Sequence, residues 1–365
     1  APSEFQSAAV FANRSFRMIC RVVFFGGSVT AQHYNQQGEA TGYAAHLRGM
    51  LDEACGGGLE IHQHGMVGSH FDTAACMCLR DIADLLGPET LLVSEWHSTT
   101  LPVFSRPALK FYYDTLAASG TTVLNLVLPM KSAREAERRN IQQTRSAQGP
   151  RCFQRNLYRE DLDLDACIRD DQHTTPFGGR AYAEIIFRDI MEILEQGRGP
   201  QDPGESRSFQ DAGRVYPPLS WQPAEGVFHP GDRFLLQLPA NRRRLVQVFA
   251  KIQKGPETAR LAIRHGSQAW VQDTWSKYSY YRNPWTSFAP LTPELALPEG
   301  EAAELEIAVS PEIPDYRQLA EAGSKALEFM LGRTVKTTAL AISGGLYMRG
   351  AGEFSVRILR GGKAA

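Results

Sequence analysis

A chain of 365 residues, 43% apolar and 22% charged, is large enough for two globular cores. Its 39 basic and 40 acidic side chains leave a formal charge of −1, which gives no reason to expect nucleic acid or an anionic membrane as partner. No apolar run reaches the roughly 18 residues needed to cross a bilayer.

The first residues, "APSEFQSAAVFANRSFR", begin without Met and lack the basic-then-apolar order of an intact signal peptide. Asn13-Arg14-Ser15 fits a glycosylation sequon, a triplet common by chance. The six cysteines, Cys20, Cys55, Cys76, Cys78, Cys152 and Cys167, are too sparse for a disulfide scaffold and are expected as buried thiols. A cytoplasmic location follows as the expectation, with secretion or periplasmic export after loss of a leader as the alternative.

Strand-like runs open the chain at 18–25 ("MICRVVFF"), 58–67, 90–96 and 121–130. Helix-compatible stretches at 42–56, 72–87, 105–120 and 178–197 alternate with them. Such alternation predicts parallel strands joined by right-handed crossovers, hence a three-layer α/β domain over residues 1–197. The basic run 131–139 is interrupted by acidic residues and reads as a solvated helix face. Residues 198–213, rich in Gly, Pro, Ser and charge, read as a linker.

From 214 to 365 the pattern changes to short alternating runs: "RFLLQL", "RLVQVFAKI", "ARLAIRH", "AELEIAVS", "TALAISGGLYM" and "FSVRILR". These predict a β-rich domain of sandwich or jelly-roll type, with one helix at 315–332. Within it "WVQDTWSKYSYYRNPWTSF" concentrates Trp270, Trp275 and Trp285. Aromatics alternating with polar residues suit a half-buried strand; a sugar-stacking platform is the functional alternative.

Ligands of open α/β sheets bind at the carboxyl ends of the strands. That rule selects Gly26-Gly27-Ser28, "GMVGSH" (65–70), "EWHSTT" (95–100) and "DDQHTTPFGG" (170–179). Taken singly, the first is also a plain turn and the last an ordinary helix cap. Together they supply the parts of acyl transfer. Ser28 is a nucleophile, His173 a base and Asp170 its orienting carboxylate. The N–H groups of Gly68 and Ser28 are oxyanion donors.

These four segments resemble the conserved blocks of the SGNH (GDSL-like) hydrolase superfamily, over roughly residues 17–197. "FFGGSVT" resembles the first block, "HGMVGSH" the second, with Gly68 at the oxyanion glycine, and "DDQHTTPFGGRAYAEII" the last. The resemblance implies a flavodoxin-like α/β/α sandwich and a serine esterase or acyltransferase. The substrates it implies are acylated carbohydrates, lipids or other small esters; that analogy, with the sandwich-like second domain, makes a short acyl such as acetyl on a glycan the preferred class. No cofactor or resident metal is called for. The third block departs from the pattern: aligned on Glu95, the chain offers Thr99 where the family has Asn, leaving Thr99 or His97 as the third donor.

Two rivals stand beside this reading. The Thr99 departure and the aromatic stretch fit a glycan-binding or assembly protein that keeps the fold without efficient catalysis. His33, His62, His64, His70, His97 and His173 all fall near the proposed edge, which fits metal-assisted hydrolysis, although no established ligand spacing appears.

Overall fold

The computed structural model describes residues 19–33, 38–67, 74–96, 106–132, 151–196, 220–240, 244–254, 258–275, 285–297, 300–313, 339–350 and 353–361. Contacts divide the chain into two compact units, Ala1–Gly65 with Leu79–Gln210 and Met66–Cys78 with Asp211–Ala365. The sequon, most of the basic run, the linker at 198–213 and the helix expected at 315–332 lie outside the described residues.

The first unit is built on five strands: β1 (Arg21–Gly26), β2 (Glu60–Gly65), β3 (Thr90–Glu95), β4 (Thr122–Val127) and β5 (Cys152–Asn156). All pair in parallel, in the order β2-β1-β3-β4-β5. The continuous apolar runs of β1 and β3 follow from that arrangement, because a parallel sheet is covered on both faces. Val22 and Phe24 join Leu91, Val93, Leu124 and Leu126 beneath helices α1 (Tyr43–Cys55) and α5 (Pro176–Gln196). Phe25 points the other way. Its ring meets Trp96 edge-on at 5.1 Å and stacks on Tyr112 of α3 (Arg106–Ser119) at 6.4 Å. Both phenylalanines are fully buried, each contributing about 1.5–3 kcal/mol relative to exposure. The result is the expected three-layer α/β architecture.

Some elements differ from the sequence expectation. The segment 72–87 forms no regular α-helix: within its described part, one turn, α2 (Cys76–Cys78), runs into a 3₁₀ helix at Leu79–Leu85. Leu79 and Ile82 are the buried residues of that 3₁₀ segment, and their spacing of three suits three residues per turn. Strand β5 was not expected. It closes one end of the sheet, where Phe153 is its only large apolar residue, so "CFQRN" carries no strand signal.

The second unit contains eleven further strands: β6 (Ser220–Pro223), β7 (Gly226–Phe228), β8 (Arg233–Leu238), β9 (Arg244–Lys254), β10 (Arg260–His265), β11 (Gln268–Asp273), β12 (Trp285–Pro290), β13 (Leu295–Leu297), β14 (Ala303–Val309), β15 (Leu340–Arg349) and β16 (Ser355–Leu359). They form two antiparallel sheets. One runs β11-β10-β14-β8-β16; the other runs β12-β9-β15-β6, with β13 on β9 and β7 on β15. Alternation explains the packing: Ala303, Leu305, Ile307 and Val309 of β14 turn inward, and the residues between them outward. Inward residues from both sheets share one core, including Phe234, Leu236, Leu305 and Ile307 against Val248, Ile252, Ile342 and Leu346. This is a β-sandwich.

All six cysteines are thiols rather than disulfides, and Cys76, Cys78 and Cys167 are buried. Among the described residues no helix is long and apolar enough to cross a membrane.

Candidate active site

The strand order places a switch point at β1. The chain leaves β1 for β2 on one side, then returns to β3 on the other, opening a crevice at the carboxyl ends of β1 and β3. Ser28 follows β1 at that point. Gly26 stands in register with Gly65 of β2 and Glu95 of β3. A Cβ on Gly26 would lie 2.2 Å from the Glu95 carbonyl oxygen, and one on Gly65 would lie 2.4 Å from the Ala31 backbone. The glycines therefore let the turn that bears Ser28 fold directly onto the strand ends. Gly27 N–H donates to the Glu95 carbonyl at 2.8 Å, and Ala31 N–H to the Gly27 carbonyl at 3.1 Å. Beneath the turn, Thr30 Oγ1 donates to the buried Glu95 carboxylate at 3.0 Å and meets Tyr43 Oη at 2.8 Å. Burial, then the Glu95 charge, drives the Tyr43 pKa well up, so that hydroxyl stays protonated.

The second half of the site is the loop between α4 (Leu164–Cys167) and α5. Pro176 occupies the first position of α5, where its missing N–H costs nothing, and Thr175 Oγ1 accepts from Gly178 N–H at 3.0 Å. Gly178 and Gly179 admit neighbouring backbone. Added Cβ atoms would lie 2.0 Å from the Cys167 carbonyl oxygen and 2.3 Å from that of Thr41. The loop is thus pinned to both α4 and the segment before α1.

Asp170 Oδ1 accepts the backbone N–H groups of Gln172 at 3.0 Å and His173 at 2.8 Å. Its Oδ2 lies 2.9 Å from His173 Nδ1. Partial burial works to raise the Asp170 pKa. The Gln172 and His173 N–H donors, the His173 charge and its ring N–H outweigh it, and the carboxyl is held below its ordinary value. An ionised carboxylate only accepts, so Nδ1 carries a ring proton, and in the neutral ring Nε2 is then the acceptor. Nε2 lies 2.9 Å from Ser28 Oγ. The three side chains form one chain of hydrogen bonds, within reach for proton transfer.

Sequence reasoning missed two glutamines. Gln172 Nε2 lies 3.2 Å from Ser28 Oγ. Gln32 closes the turn onto the loop: its Oε1 accepts from Thr174 N–H at 3.1 Å and Oγ1 at 3.3 Å, while its Nε2 donates to the Thr174 carbonyl at 3.3 Å. Gln172 had one signal, its place inside the Asp-x-x-His spacing. Gln32 had none.

Gly68, His97 and Thr99 lie outside the described residues, as does His70. His33 is exposed. His62 Nε2 bonds Glu60 Oε1 at 2.6 Å, and its ring stacks on His64 at 6.3 Å between centroids. Among the described residues no three His, Cys, Asp or Glu side chains gather to hold a metal. Trp270 is half-buried against the sandwich core, Trp275 is buried, and Trp285 begins β12.

This architecture is similar to that of a two-domain esterase active on acetylated mannans, a crystal structure that matches with a TM-score of 0.54 at 11% identity, over 91% of each chain. The esterase co-crystallised with mannopentaose matches with the same TM-score and identity, over 91% of this chain and 92% of the other. No family model and no curated protein matches the sequence. At that identity the likeness is one of fold: an α/β unit followed by a β-rich unit.

Proposed function

We propose that this protein is a serine-dependent carbohydrate esterase that removes short acyl groups, acetyl foremost, from a glycan. The observation that carries the proposal is the Ser28–His173–Asp170 chain at the sheet's switch point, with its two links at 2.9 Å. The fold shared with an esterase active on acetylated mannans supports the substrate class.

In the proposed reaction Ser28 Oγ bonds the ester carbonyl carbon while its proton passes to His173 Nε2. Asp170 holds the ring and stabilises the imidazolium. Charge collects on the former carbonyl oxygen, with the Ser28 N–H as one donor and, from the sequence resemblance, the Gly68 N–H as the other. The imidazolium then returns the proton to the departing sugar oxygen, leaving acyl-Ser28. Water then bonds the acyl carbon as its proton passes to His173; the Oγ–C bond breaks, His173 returns the proton to Ser28 Oγ, and the acid leaves.

The test is acetate release from acetylated mannan and xylan, turnover of p-nitrophenyl acetate, and labelling by a fluorophosphonate, in wild type and Ser28→Ala. Acetate release and labelling confined to the wild type are expected. Tight binding of the acetylated oligosaccharide without release, equal in both proteins, would favour a glycan-binding role instead.

A further inference from the structure

The exchange just described needs nothing from Gln172, yet its side chain lies on the reacting atom. The residue is half-buried, its own N–H is spent on Asp170 Oδ1 at 3.0 Å, and its Nε2 lies 3.2 Å from Ser28 Oγ. The orientation of the amide follows from the neighbouring bond. Ser28 has one hydroxyl proton, directed at His173 Nε2 across 2.9 Å. Only lone pairs of Oγ remain for Gln172, and a lone pair requires the NH₂ end of the amide.

We propose that Gln172 is a catalytic residue that supplies a side-chain donor to the oxyanion. The inference rests on the ester-cleaving reading and deepens it. In the resting enzyme the Nε2–H holds Oγ with its proton toward His173. As the Oγ–C bond forms, the lone pair that accepted from Gln172 loses its basicity. Negative charge develops instead on an oxygen of the same carbon, about 2.3 Å from Oγ, a separation set by ordinary bond lengths and angles. A donor already 3.2 Å from Oγ reaches that oxygen by rotating its terminal torsions, which are broad and soft. The bond strengthens only as charge appears, so it stabilises the transition state over the ground state. Gln172 transfers no proton and forms no covalent bond.

The experiment compares wild type, Gln172→Met and Gln172→Glu on p-nitrophenyl acetate and an acetylated mannooligosaccharide, with Ser28→Ala alongside. Both variants keep the length of the side chain and remove its donor. Loss of one oxyanion donor lowers kcat by about 10²–10³-fold. The loss is expected in kcat with KM within about threefold, with the pH profile of Gln172→Met unshifted because an amide does not titrate. The Ki of a boronic acid, which mimics the tetrahedral state, is expected to rise by the same factor as kcat/KM falls. Thermal melting identifies a variant that has lost its fold, and the other then carries the comparison.

Turnover within threefold of wild type in a folded variant, with Ser28→Ala inactive, overturns the role of Gln172 and leaves the esterase standing. So does a loss borne by KM alone, or a shifted profile in Gln172→Met. Equal turnover in wild type and Ser28→Ala overturns the esterase reading and this inference with it.

Discussion

Two aspartates, one in each unit, are held by the same physical device and are connected to different things. Asp170 accepts two backbone N–H groups and the His173 ring. Asp232, at the turn into β8, accepts the N–H groups of His229 at 3.0 Å and Gly361 at 2.7 Å, and Arg360 Nη1 at 3.0 Å. In each, burial pushes the carboxyl pKa up and the donors more than reverse it. The difference lies one bond further on. The His173 ring continues to Ser28 Oγ, whereas the Arg360 guanidinium lies over the Phe228 ring, 4.3 Å from its centroid. A depressed carboxylate is therefore no mark of catalysis by itself. Under the proposed chemistry, the partner's onward connection decides whether the charge orients a reaction or latches a strand end.

The largest effect that tests this contrast is Asp170→Asn. An asparagine keeps one oxygen for the Gln172 and His173 N–H groups and turns its NH₂ toward the ring. His173 Nδ1 must then accept, which forces the proton onto Nε2 and points it at Ser28. Under the proposed chemistry kcat is expected to fall about 10⁴-fold, with the melting temperature little changed because the group is half exposed. Retention of a tenth of the activity would mean that His173 is oriented by something else.

Asp232→Asn reverses the profile. Its carboxylate is 6% exposed, and its two oxygens face three donors. An amide places NH₂ against one of those donors, at a cost of about 2 kcal/mol in unfolding free energy. Equilibrium denaturation measures it, and kcat per folded molecule is expected to stay within twofold of wild type. A tenfold loss of kcat would break the division between the two aspartates.

The legibility of the sequence divides along similar lines. Strands β1, β3, β8, β14 and β16 were visible because burial imposes a pattern of two faces or one on their residues. The three-residue strands β7 and β13 were not, since three residues hold too little pattern to tell a strand from a turn. Ser28, Asp170 and His173 were legible because local backbone fixes them: a glycine-flanked turn and a spacing of three before a helix. The glutamines act across 142 to 144 residues of sequence, and their partners depend on how the first and last segments of the unit come together. No local pattern encodes that.

Gln32 supplies a smaller effect. Its side-chain hydrogen bonds go to Thr174, which its amide holds by both backbone groups. Gln32→Leu removes the clamp while Asp170 still holds the ring. A loss of about tenfold in kcat is expected, since small misplacements of reacting groups are costly, with KM nearly constant. Gln32→Glu keeps the acceptor for the Thr174 N–H and is expected to recover part of the loss. Identical losses in both would indicate that the acceptor contributes nothing and that the clamp works through its Nε2–H alone.

The smallest effect sharpens the comparison through pH. A carboxyl whose folded pKa is depressed binds its proton more readily in the unfolded chain, where the value is about 3.9. Its contribution to stability is fully present above that value and is lost as pH falls through the lower folded one. Asp170 and Asp232 are both shifted in this direction. The stability difference between wild type and each asparagine variant is therefore expected to be flat above about pH 5 and to shrink below about pH 4. The shrinkage is expected to be smaller for Asp170, whose side chain is 49% exposed and screened by solvent, than for Asp232 at 6%. Urea unfolding from pH 2.5 to pH 7 reads both differences directly. A difference for Asp170 that grows toward acid would mean a raised folded pKa, and with it a partly protonated group unable to hold the His173 ring by charge.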